Sequence, residues 1–421
     1  MARDLHATID AVWRIEAAKI IGAIARMVRD VGLAEELAQD ALVAALEHWP
    51  KDGLPDNPGA WLMAAAKNRA LDRLRQEALH LRKQEELGAE ADARGDHVVP
   101  DISEALDERD QIGDDLLRLV FTACHPVLSK EAQVALTLRL LGGLTTNEIA
   151  RAFLQPEPTI AQRIVRAKRT LTAARVPFEV PRGEALRERL PAVLEVIYLI
   201  FNEGYSATAG EDWMRPALCE EAMRVGRVLA QLLLDEAEVH GLVALMEIQA
   251  SRMRARTDKS GRPILLLEQD RSRWDRVLIG RGLAGLERAA ALGGERGTYE
   301  LQAAIAACHV RARTADETEW SLIVALYDAL AARMDSPVVE LNRAIAVGMA
   351  FGPEEALPLV DALMNEPPMQ RYHLLHAVRG DLLKKLGRNA EAQAAFERAA
   401  ELTENERERS LMSERARASA Q

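Results

Sequence analysis

The stretch that decides the fold lies between Thr145 and Leu171 and reads TTNEIARAFLQPEPTIAQRIVRAKRTL. Thr145 and Glu148 have the Thr-x-x-Glu spacing of a capping box, which predicts that a helix begins there. Pro156 and Pro158 interrupt this helix because proline has no amide proton, and Pro158 suits the first turn of a second helix. The sequence therefore predicts two short helices joined by a tight turn.

The second of these helices is amphipathic. At about 100° per residue, its apolar side chains fall on one side and its basic side chains on the other. An Arg-rich outer face suits the DNA major groove, where arginine reads guanine edges and Lys or Arg neutralises phosphates. The apolar side is formed by Ile160, Ile164, Ala167 and Leu171, and the polar side by Gln162, Arg163, Arg166, Arg169 and Thr170.

Charge is divided into blocks along a chain whose formal net charge is −11. Residues 61–83 carry a net charge of +4 and residues 150–175 a net charge of +5, whereas residues 84–117 between them carry −10. Within the acidic block, residues 87–101 contain Gly and Pro and lack apolar periodicity, which is typical of a linker. Two basic segments separated by acid favour a polyanionic partner.

Composition narrows the class of protein. Of 421 residues, 48% are apolar and only 4% are aromatic, and the abundance of Ala, Leu, Arg and Glu favours helices over strands. The three cysteines lie about ninety residues apart without CxxC or CxxH spacing, so the sequence predicts neither a disulfide framework nor a zinc site. Without an apolar N-terminal segment or a run of eighteen apolar residues, we expect a cytoplasmic protein that does not enter a membrane.

The two short helices resemble region 4, the second DNA-binding domain of bacterial RNA polymerase sigma factors. Its pattern is L(S/T)..EIA..L followed by T(V/I)..R..RA...L. The chain departs from the common version at the turn, where Pro156 and Pro158 replace the usual Gly or Ser. The resemblance implies that this helix contacts the upstream promoter element through Thr159, Gln162, Arg163, Arg166, Lys168 and Arg169. The matching residues are Leu144, Thr145, Glu148, Ile149, Ala150, Thr159, Ile160, Arg163, Arg166, Ala167 and Leu171.

The segment VGLAEELAQDALVAALEHW at 31–49 is similar to the sigma helix that binds the clamp coiled coil in the largest subunit of core RNA polymerase. Glu35 and Gln39, and likewise Glu36 and Asp40, are four residues apart, and we expect both pairs on one exposed side of a helix. Glu36 and Asp40 are both negatively charged, and like-charged neighbours at this spacing cost about 0.2–0.5 kcal/mol per pair. An Arg-rich partner would compensate this cost, and the resemblance implies that these four side chains bind the polymerase.

The segment PGAWLMAAAKNRALDRLRQ at 58–76 is similar to the sigma helix that melts and reads the downstream promoter element. Its basic and amide side chains suit phosphates and an exposed base. Trp61 is interpreted as a core residue and not as a stacking platform. The residues that the resemblance implies for DNA binding are Lys67, Asn68, Arg69, Arg73 and Arg75.

The C-terminal half is predicted to be helical and repetitive. Residues 371–402 fit the tetratricopeptide pattern, and residues 341–364 contain a looser version. One repeat cannot bury its apolar face alone, so stacked neighbours are expected. The segments at 200–213 and 264–276 resemble parts of the sigma subgroup that carries a tetratricopeptide-like extension. The pattern positions are Gly380, Gly387, Ala392, Phe396 and Ala399, and further helices are predicted over 186–203, 214–234, 236–256, 273–292, 299–313 and 319–334.

The predicted architecture is all-α, with two small sigma domains followed by a tetratricopeptide-like α-solenoid. Sigma region 2 is assigned to 1–83, an acidic linker to 84–112, sigma region 4 to 113–180 and the C-terminal domain to 181–421. The resemblance implies an extracytoplasmic-function sigma factor whose partners are core RNA polymerase and promoter DNA. The C-terminal domain would regulate activity through a protein partner or an intramolecular contact, and no catalysis, cofactor, metal or membrane is expected.

Two other functions agree with parts of the sequence. A helix-turn-helix regulator with a tetratricopeptide-like sensing domain, which recruits polymerase without acting as sigma, explains 130–175 and the repeats equally well. It does not explain the sigma-like segments at 31–49 and 58–76. An enzyme would need a cluster of polar residues in the C-terminal half, for which a buried ion-pair network is the simpler interpretation. His373 and His376 are treated as ordinary repeat residues. The polar residues considered for an enzyme are Glu203, Tyr205, Glu268, Asp270 and Arg271.

Overall fold

The computed structural model describes residues 2–87, 111–153, 155–207, 209–210 and 213–420. The chain forms two compact units, Met1–Val196 (unit 1) and Ile197–Gln421 (unit 2). Residues 88–110, which make up most of the predicted acidic linker, lie outside the described residues.

The described part of unit 1 is built from helices that pack on one another. Three long helices pack on one another around buried Ile20, Ile24 and Leu62, and the helix after the acidic segment packs on the first of them. Three shorter helices follow, and the last of them packs on both of its predecessors. These helices are α1 (Ala2–Val28), α2 (Val31–Asp52), α3 (Pro58–Leu87), α4 (Gln111–Ala123), α5 (Lys130–Leu140), α6 (Thr146–Ala152), α7 (Glu157–Ala173) and α8 (Glu184–Tyr205), which continues into unit 2.

The start of α6 is the capping box that the sequence predicted. The Thr145 amide donates to Glu148 Oε2 at 2.8 Å, and the Glu148 amide donates to Thr145 Oγ1 at 3.1 Å. After the break, α7 begins at Glu157 with Pro156 as its N-cap. Its buried side chains are the predicted Ile160, Ile164, Ala167 and Leu171.

Thr145→Ala is expected to destabilise α6 by about 1 kcal/mol, because the first turn loses its side-chain acceptor. Hydrogen exchange of the α6 amides should become about five-fold faster, which is the rate ratio that corresponds to this energy. Thr145→Ser keeps the hydroxyl and serves as the matched control. Equal exchange in the two variants would show that the hydroxyl does not stabilise the helix.

The described part of unit 2 contains ten further α-helices and four short 3-10 helices, together with the end of α8. One apolar core lies among the five helices that follow residue 236, and another lies among the last five helices, so that one helix contributes to both. The helices predicted over 186–334 are confirmed, although the one predicted over 236–256 ends at Ala250. These elements are α9 (Pro216–Leu232), α10 (Ala237–Ala250), α11 (Arg276–Ala291), α12 (Thr298–Arg311), α13 (Trp320–Ala331), α14 (Pro337–Ala350), α15 (Pro353–Leu363), α16 (His373–Lys385), α17 (Asn389–Leu402) and α18 (Glu406–Ser419).

Small residues let successive helices of unit 2 approach closely. A Cβ atom at Gly380 in α16 would lie only 2.9 Å from the Phe396 ring of α17. Gly387, in the turn between these helices, has a φ of 72°, which favours glycine. These contacts match the small, turn and aromatic positions of the tetratricopeptide pattern in residues 371–402. That the hairpins are tetratricopeptide repeats remains a prediction.

One short strand pair interrupts the helical architecture. β1 (Ala209–Gly210) and β2 (Glu404–Asn405) pair in parallel. Asn405 is fully buried; its Nδ2 donates to the Ala207 carbonyl at 3.2 Å, and its Oδ1 accepts from the Arg407 amide at 3.0 Å at the start of α18. Two-residue strands have no alternating pattern, so the sequence did not indicate them.

Among the described residues, no helix is long and apolar enough to cross a membrane.

The buried His309 of α12 makes the stability of unit 2 depend on pH. Burial and the positive charges of Arg252 and Arg271 lower its pKa from the ordinary value of 6.5 to about 4. The unfolded chain therefore binds this proton more readily than the folded chain. The stability contributed by neutral His309 is complete above a pH of about 6.5 and is lost as the pH falls toward about 4.

We expect the urea concentration at which unit 2 is half unfolded to decrease as the pH falls from about 6.5 to about 4. Hydrogen exchange of the α12 amides at each urea concentration measures this midpoint. His309→Gln removes the titrating group and should flatten the pH dependence. If the variant and the parent chain lose stability equally between these pH values, His309 is not the group responsible.

Candidate nucleic-acid and polymerase interface

The predicted DNA-binding face of α7 is largely open to solvent. Thr159, Gln162, Arg166 and Arg169 are exposed, and Arg163 is partly buried. The helix α7 packs on α5 and α6 through its apolar side. Its exposed side chains can therefore contact a polyanion without a change in this packing.

Lys168 is the member of the predicted set that is already engaged. Its side chain is 22% exposed, and its ammonium forms an ion pair with Glu35 of α2. The sequence placed Lys168 among the promoter contacts and gave no indication of this partner.

The basic side chains of α3 lie beside acidic neighbours on the same helix. Arg73 Nε is 2.9 Å from Glu77 Oε1, and Arg75 Nη1 is 3.4 Å from Asp72 Oδ1. Both pairs are about half-exposed or more, and such pairs contribute only about 0.2–1 kcal/mol. DNA phosphates can therefore replace these carboxylates at small cost.

The other predicted residues of α3 differ in exposure. Asn68 is exposed, whereas Lys67 and Arg69 are partly buried, and Arg69 Nη1 donates to the Ala65 carbonyl at 3.2 Å. Trp61 packs edge-on against Trp49, with ring centroids 5.5 Å apart. Trp61 is partly buried, so its interpretation as a core residue stays a prediction that this contact supports.

The helix α2 departs from the sequence prediction at Glu35. Glu36 and Asp40 are exposed and Gln39 is half-buried, but Glu35 is only 2% exposed. The prediction that Glu35 lies on an exposed side was wrong, because the buried side of α2 is broader than the apolar periodicity indicated. The alanines that extend this side are Ala34, Ala38, Ala41, Ala44 and Ala45.

Glu35 is neutralised inside unit 1 by two cations. Its Oε1 accepts a hydrogen bond from Arg139 Nε of α5 at 2.6 Å, and Gln39 donates to the same oxygen. Its other oxygen pairs with Lys168 of α7. A carboxylate that is buried to this degree needs such partners, because an unpaired buried charge costs several kcal/mol. No local sequence pattern marks Arg139 for this role, because its partner in the chain is 104 residues away.

Two further polar contacts join the same parts of unit 1. Asp30 caps α2 by accepting from the Leu33 amide at 2.8 Å, and its other oxygen accepts from Thr172 Oγ1 at 2.8 Å. Arg14 of α1 pairs with Glu148 of α6 at 2.5 Å. The predicted region 2 and region 4 therefore contact each other directly.

A buried carboxylate also joins α4 to α1. Asp115 is 2% exposed and accepts from Arg118 Nη1 at 2.6 Å and from Arg26 Nε at 3.2 Å. Burial raises the pKa of Asp115 although both arginines oppose the change. This contact anchors the first helix after the acidic segment to the first helix of the chain.

The polar residues considered for an enzyme make separate contacts in unit 2. Glu203 pairs with Arg215, and the Tyr205 carbonyl accepts from the buried Arg256. Asp270 caps the short helix Arg271–Arg273 through the Ser272 amide. The pair of Glu203 with Arg215 agrees with the interpretation as a buried ion-pair network, but Glu268 and Asp270 are exposed, so the five residues do not form one buried network. Glu268 lines a cavity of about 720 Å³, and Arg271 donates to the carbonyls of His309 and Ala312.

The two histidines of α16 also have different partners. His373 Nε2 lies 2.9 Å from Glu408 Oε2, and His376 Nε2 lies 3.0 Å from the Gln370 carbonyl oxygen. In the part of the chain that the structure describes, no group of three or more His, Cys, Asp or Glu residues could hold a metal ion.

Comparison with known families assigns three segments of the chain. Residues 15–79 match the family model of Sigma-70 region 2, and residues 118–171 match that of Sigma-70 region 4. Residues 189–290 match a family of unknown function (DUF6596). No solved structure is significantly similar to this chain.

Two kinds of curated protein are similar to this chain. An uncharacterized protein of Rhizobium meliloti is 43% identical over 387 residues, which cover 91% of this chain and 89% of that protein. The extracytoplasmic-function (ECF) RNA polymerase sigma factors SigK of Mycobacterium tuberculosis and Mycobacterium ulcerans are each 30% identical over 157 residues, covering 36% of this chain and 78% of theirs.

The match to SigK covers most of that protein, and both sigma regions occur in the expected order with the predicted capping box and amphipathic helix in place. The chain therefore belongs to the extracytoplasmic-function family of RNA polymerase sigma factors, and it carries an additional C-terminal helical domain.

Proposed function

We propose that this sigma factor binds the clamp coiled coil of core RNA polymerase through α2, the downstream promoter element through α3 and the upstream element through α7. The observation that carries the proposal is the basic face of α7, which is exposed and backed by a fully apolar side. Exposed Glu36 and Asp40 give α2 a negative surface for a basic partner. We place this activity in the cytoplasm and assign no reaction to the chain.

The decisive experiment is transcription with purified core polymerase, the full chain and a candidate promoter. Initiation without another sigma factor supports the proposal. A chain that binds the promoter but requires a second sigma factor would instead be a helix-turn-helix regulator that recruits polymerase.

A double charge reversal, Glu36→Lys with Asp40→Lys, tests the polymerase surface separately. Both side chains are exposed, so the fold should persist while binding to core polymerase falls about ten-fold or more. Glu47→Lys, at an exposed position farther along α2, is the matched control. Equal binding by the double variant and the control would remove Glu36 and Asp40 from the interface.

We propose in addition that unit 2 regulates the sigma activity, either by holding the factor inactive or by adjusting promoter opening. It would take the place of a separate anti-sigma protein, and its helical hairpins would form a tetratricopeptide-like scaffold. Within unit 1, Arg189 of α8 donates to the Phe121 carbonyl at 2.6 Å. A truncation should therefore end after Val196 and not near residue 180, so that this contact is kept.

The truncated chain should differ from the full chain in initiation rate on the same promoter. The stability of unit 1, followed by hydrogen exchange of the α1 amides, is the control that separates regulation from misfolding. Unchanged activity together with unchanged stability would exclude a regulatory role for unit 2.

A further inference from the structure

A cavity of about 560 Å³ lies in unit 1, beside the ends of α1 and α7 and the start of α2. Its volume falls within the range of about 300–1,000 Å³ that is usual for small-molecule sites. Four of its lining side chains are basic and two are acidic, and this excess of positive charge favours an anionic ligand. The charged lining residues are Arg26, Arg29, Lys168, Arg175, Asp30 and Glu179.

Three of these charged groups already have partners in unit 1. Arg26 and Lys168 each form an ion pair with a buried carboxylate. The carboxylate of Asp30 accepts hydrogen bonds from the Leu33 amide and from the Thr172 hydroxyl, at 2.8 Å each. These groups therefore have structural roles, and the charge available to a ligand comes from the remaining residues.

Arg29 and Arg175 are the basic groups of the cavity that remain available. Both side chains are exposed, and neither has a hydrogen bond or an ion pair within the described residues. Glu179, the other acidic residue of the lining, is exposed as well. Two arginines beside one cavity can bind an oxyanion together, because each guanidinium donates paired hydrogen bonds to phosphate oxygens.

The backbone conformation of both arginines is unusual. Each follows the last turn of its helix, with a φ of 54° at Arg29 and 47° at Arg175, and no other non-glycine residue of the described chain has a positive φ. Glycine is the usual residue at this position because it lacks a Cβ atom. A basic residue can stabilise a helix C-terminus without this strain, as Arg26 does in the last turn of α1. Strained residues that line the same cavity therefore point to a function for their side chains.

Apolar side chains form another part of the lining. Val31 and Leu171 are buried, and Phe178 is half-buried. An apolar surface beside two cations suits a ligand that joins a flat ring to a charged group. The concave shape favours a small ligand over a DNA duplex, which presents its phosphates on a convex surface.

We propose that this cavity binds a phosphate monoester that carries a planar ring, as nucleotides do, and that Arg29 and Arg175 hold its phosphate. The dianionic phosphate would balance the excess positive charge of the lining. The proposal does not depend on the function proposed for α2 and α7, because binding is measured with the chain alone.

Titration calorimetry of the full chain with adenosine monophosphate (AMP), inorganic phosphate and adenosine tests the ligand class. AMP should bind most tightly, phosphate more weakly and adenosine not measurably. At an AMP concentration ten times its Kd, hydrogen exchange of the most protected α1 and α7 amides should slow about ten-fold, because the ligand binds only the folded chain. Absence of binding by AMP and phosphate at about 10 mM would overturn the proposal. Equal affinities for AMP and phosphate would remove the ring from it.

The double variant Arg29→Gly with Arg175→Gly tests the two side chains. Glycine adopts a positive φ without strain, so this variant should fold at least as stably as the parent chain while its affinity for AMP falls ten-fold or more. Arg29→Lys with Arg175→Lys keeps both charges and should retain part of the affinity.

Arg187→Ala is the control, because Arg187 is an exposed arginine of α8 that does not line the cavity. It should bind AMP as the parent chain does. If the double glycine variant also binds AMP as tightly as the parent chain, the two arginines do not hold the phosphate. If AMP does not bind and the double glycine variant loses affinity for promoter DNA, the arginines contact DNA phosphates and the proposal is wrong.

Discussion

Replacing Arg166 and Arg169 together with alanine is expected to weaken promoter DNA binding about 10- to 100-fold at physiological salt. Both side chains are exposed on α7, and neither belongs to its buried side. Each lost phosphate contact should also reduce the slope of log affinity against log salt by about 1. Fluorescence anisotropy with labelled promoter DNA at several salt concentrations measures both effects.

Arg281→Ala is the control for this prediction, because Arg281 is an exposed arginine of α11 in unit 2. A loss of affinity that is equal on all DNA sequences would identify phosphate contacts, and a loss confined to the promoter would identify base contacts. If the double variant binds the promoter as tightly as the control, the exposed face of α7 is not the DNA-binding surface.

Gly241→Ala is expected to lower the free energy of unfolding of unit 2 by about 1–3 kcal/mol. The added Cβ atom would lie 2.7 Å from the Glu300 amide nitrogen and 3.0 Å from its Cα atom. Both atoms are backbone of α12, so the clash is relieved only if α10 and α12 move apart. Urea unfolding followed by hydrogen exchange of the α10 amides measures the loss.

Gly280→Ala makes the same substitution within another helix of unit 2 without the clash. Apart from its own stretch of the α11 backbone, the added Cβ would have no heavy atom within 4 Å. This variant should be stabilised by about 0.5–1 kcal/mol, because alanine loses less backbone entropy than glycine on folding. Equal stability changes in the two variants would show that the close approach at Gly241 does not constrain the helix pair.

Features that depend on neighbouring residues could be predicted from the sequence. The capping box at Thr145 and the buried side of α7 follow from spacings of three or four residues, which an α-helix converts directly into contacts. The same applies to Gly380 and Phe396, which face each other across a short turn.

Features that depend on distant parts of the chain could not be predicted. Arg139 is 104 residues from Glu35, and Asn405 is 198 residues from Ala207, its hydrogen-bond partner. A glutamate on an amphipathic helix has the same neighbours in the sequence whether water solvates its carboxylate or a distant cation pairs with it. The burial of Glu35, and with it the contact between the two regions, therefore required the structure.

The small residues at the helix contacts of unit 2 also constrain how this protein can diverge. Gly241, Gly282 and Gly380 each sit where an added methyl group would meet a neighbouring helix at 3.0 Å or less. Loss of a side chain elsewhere in the core leaves a gap that its surroundings can partly fill, but an enlarged residue at these glycines must displace a side chain or the backbone of the neighbouring helix. Homologues should therefore exchange large core residues more freely than these glycines, and a library of random variants should show the same asymmetry.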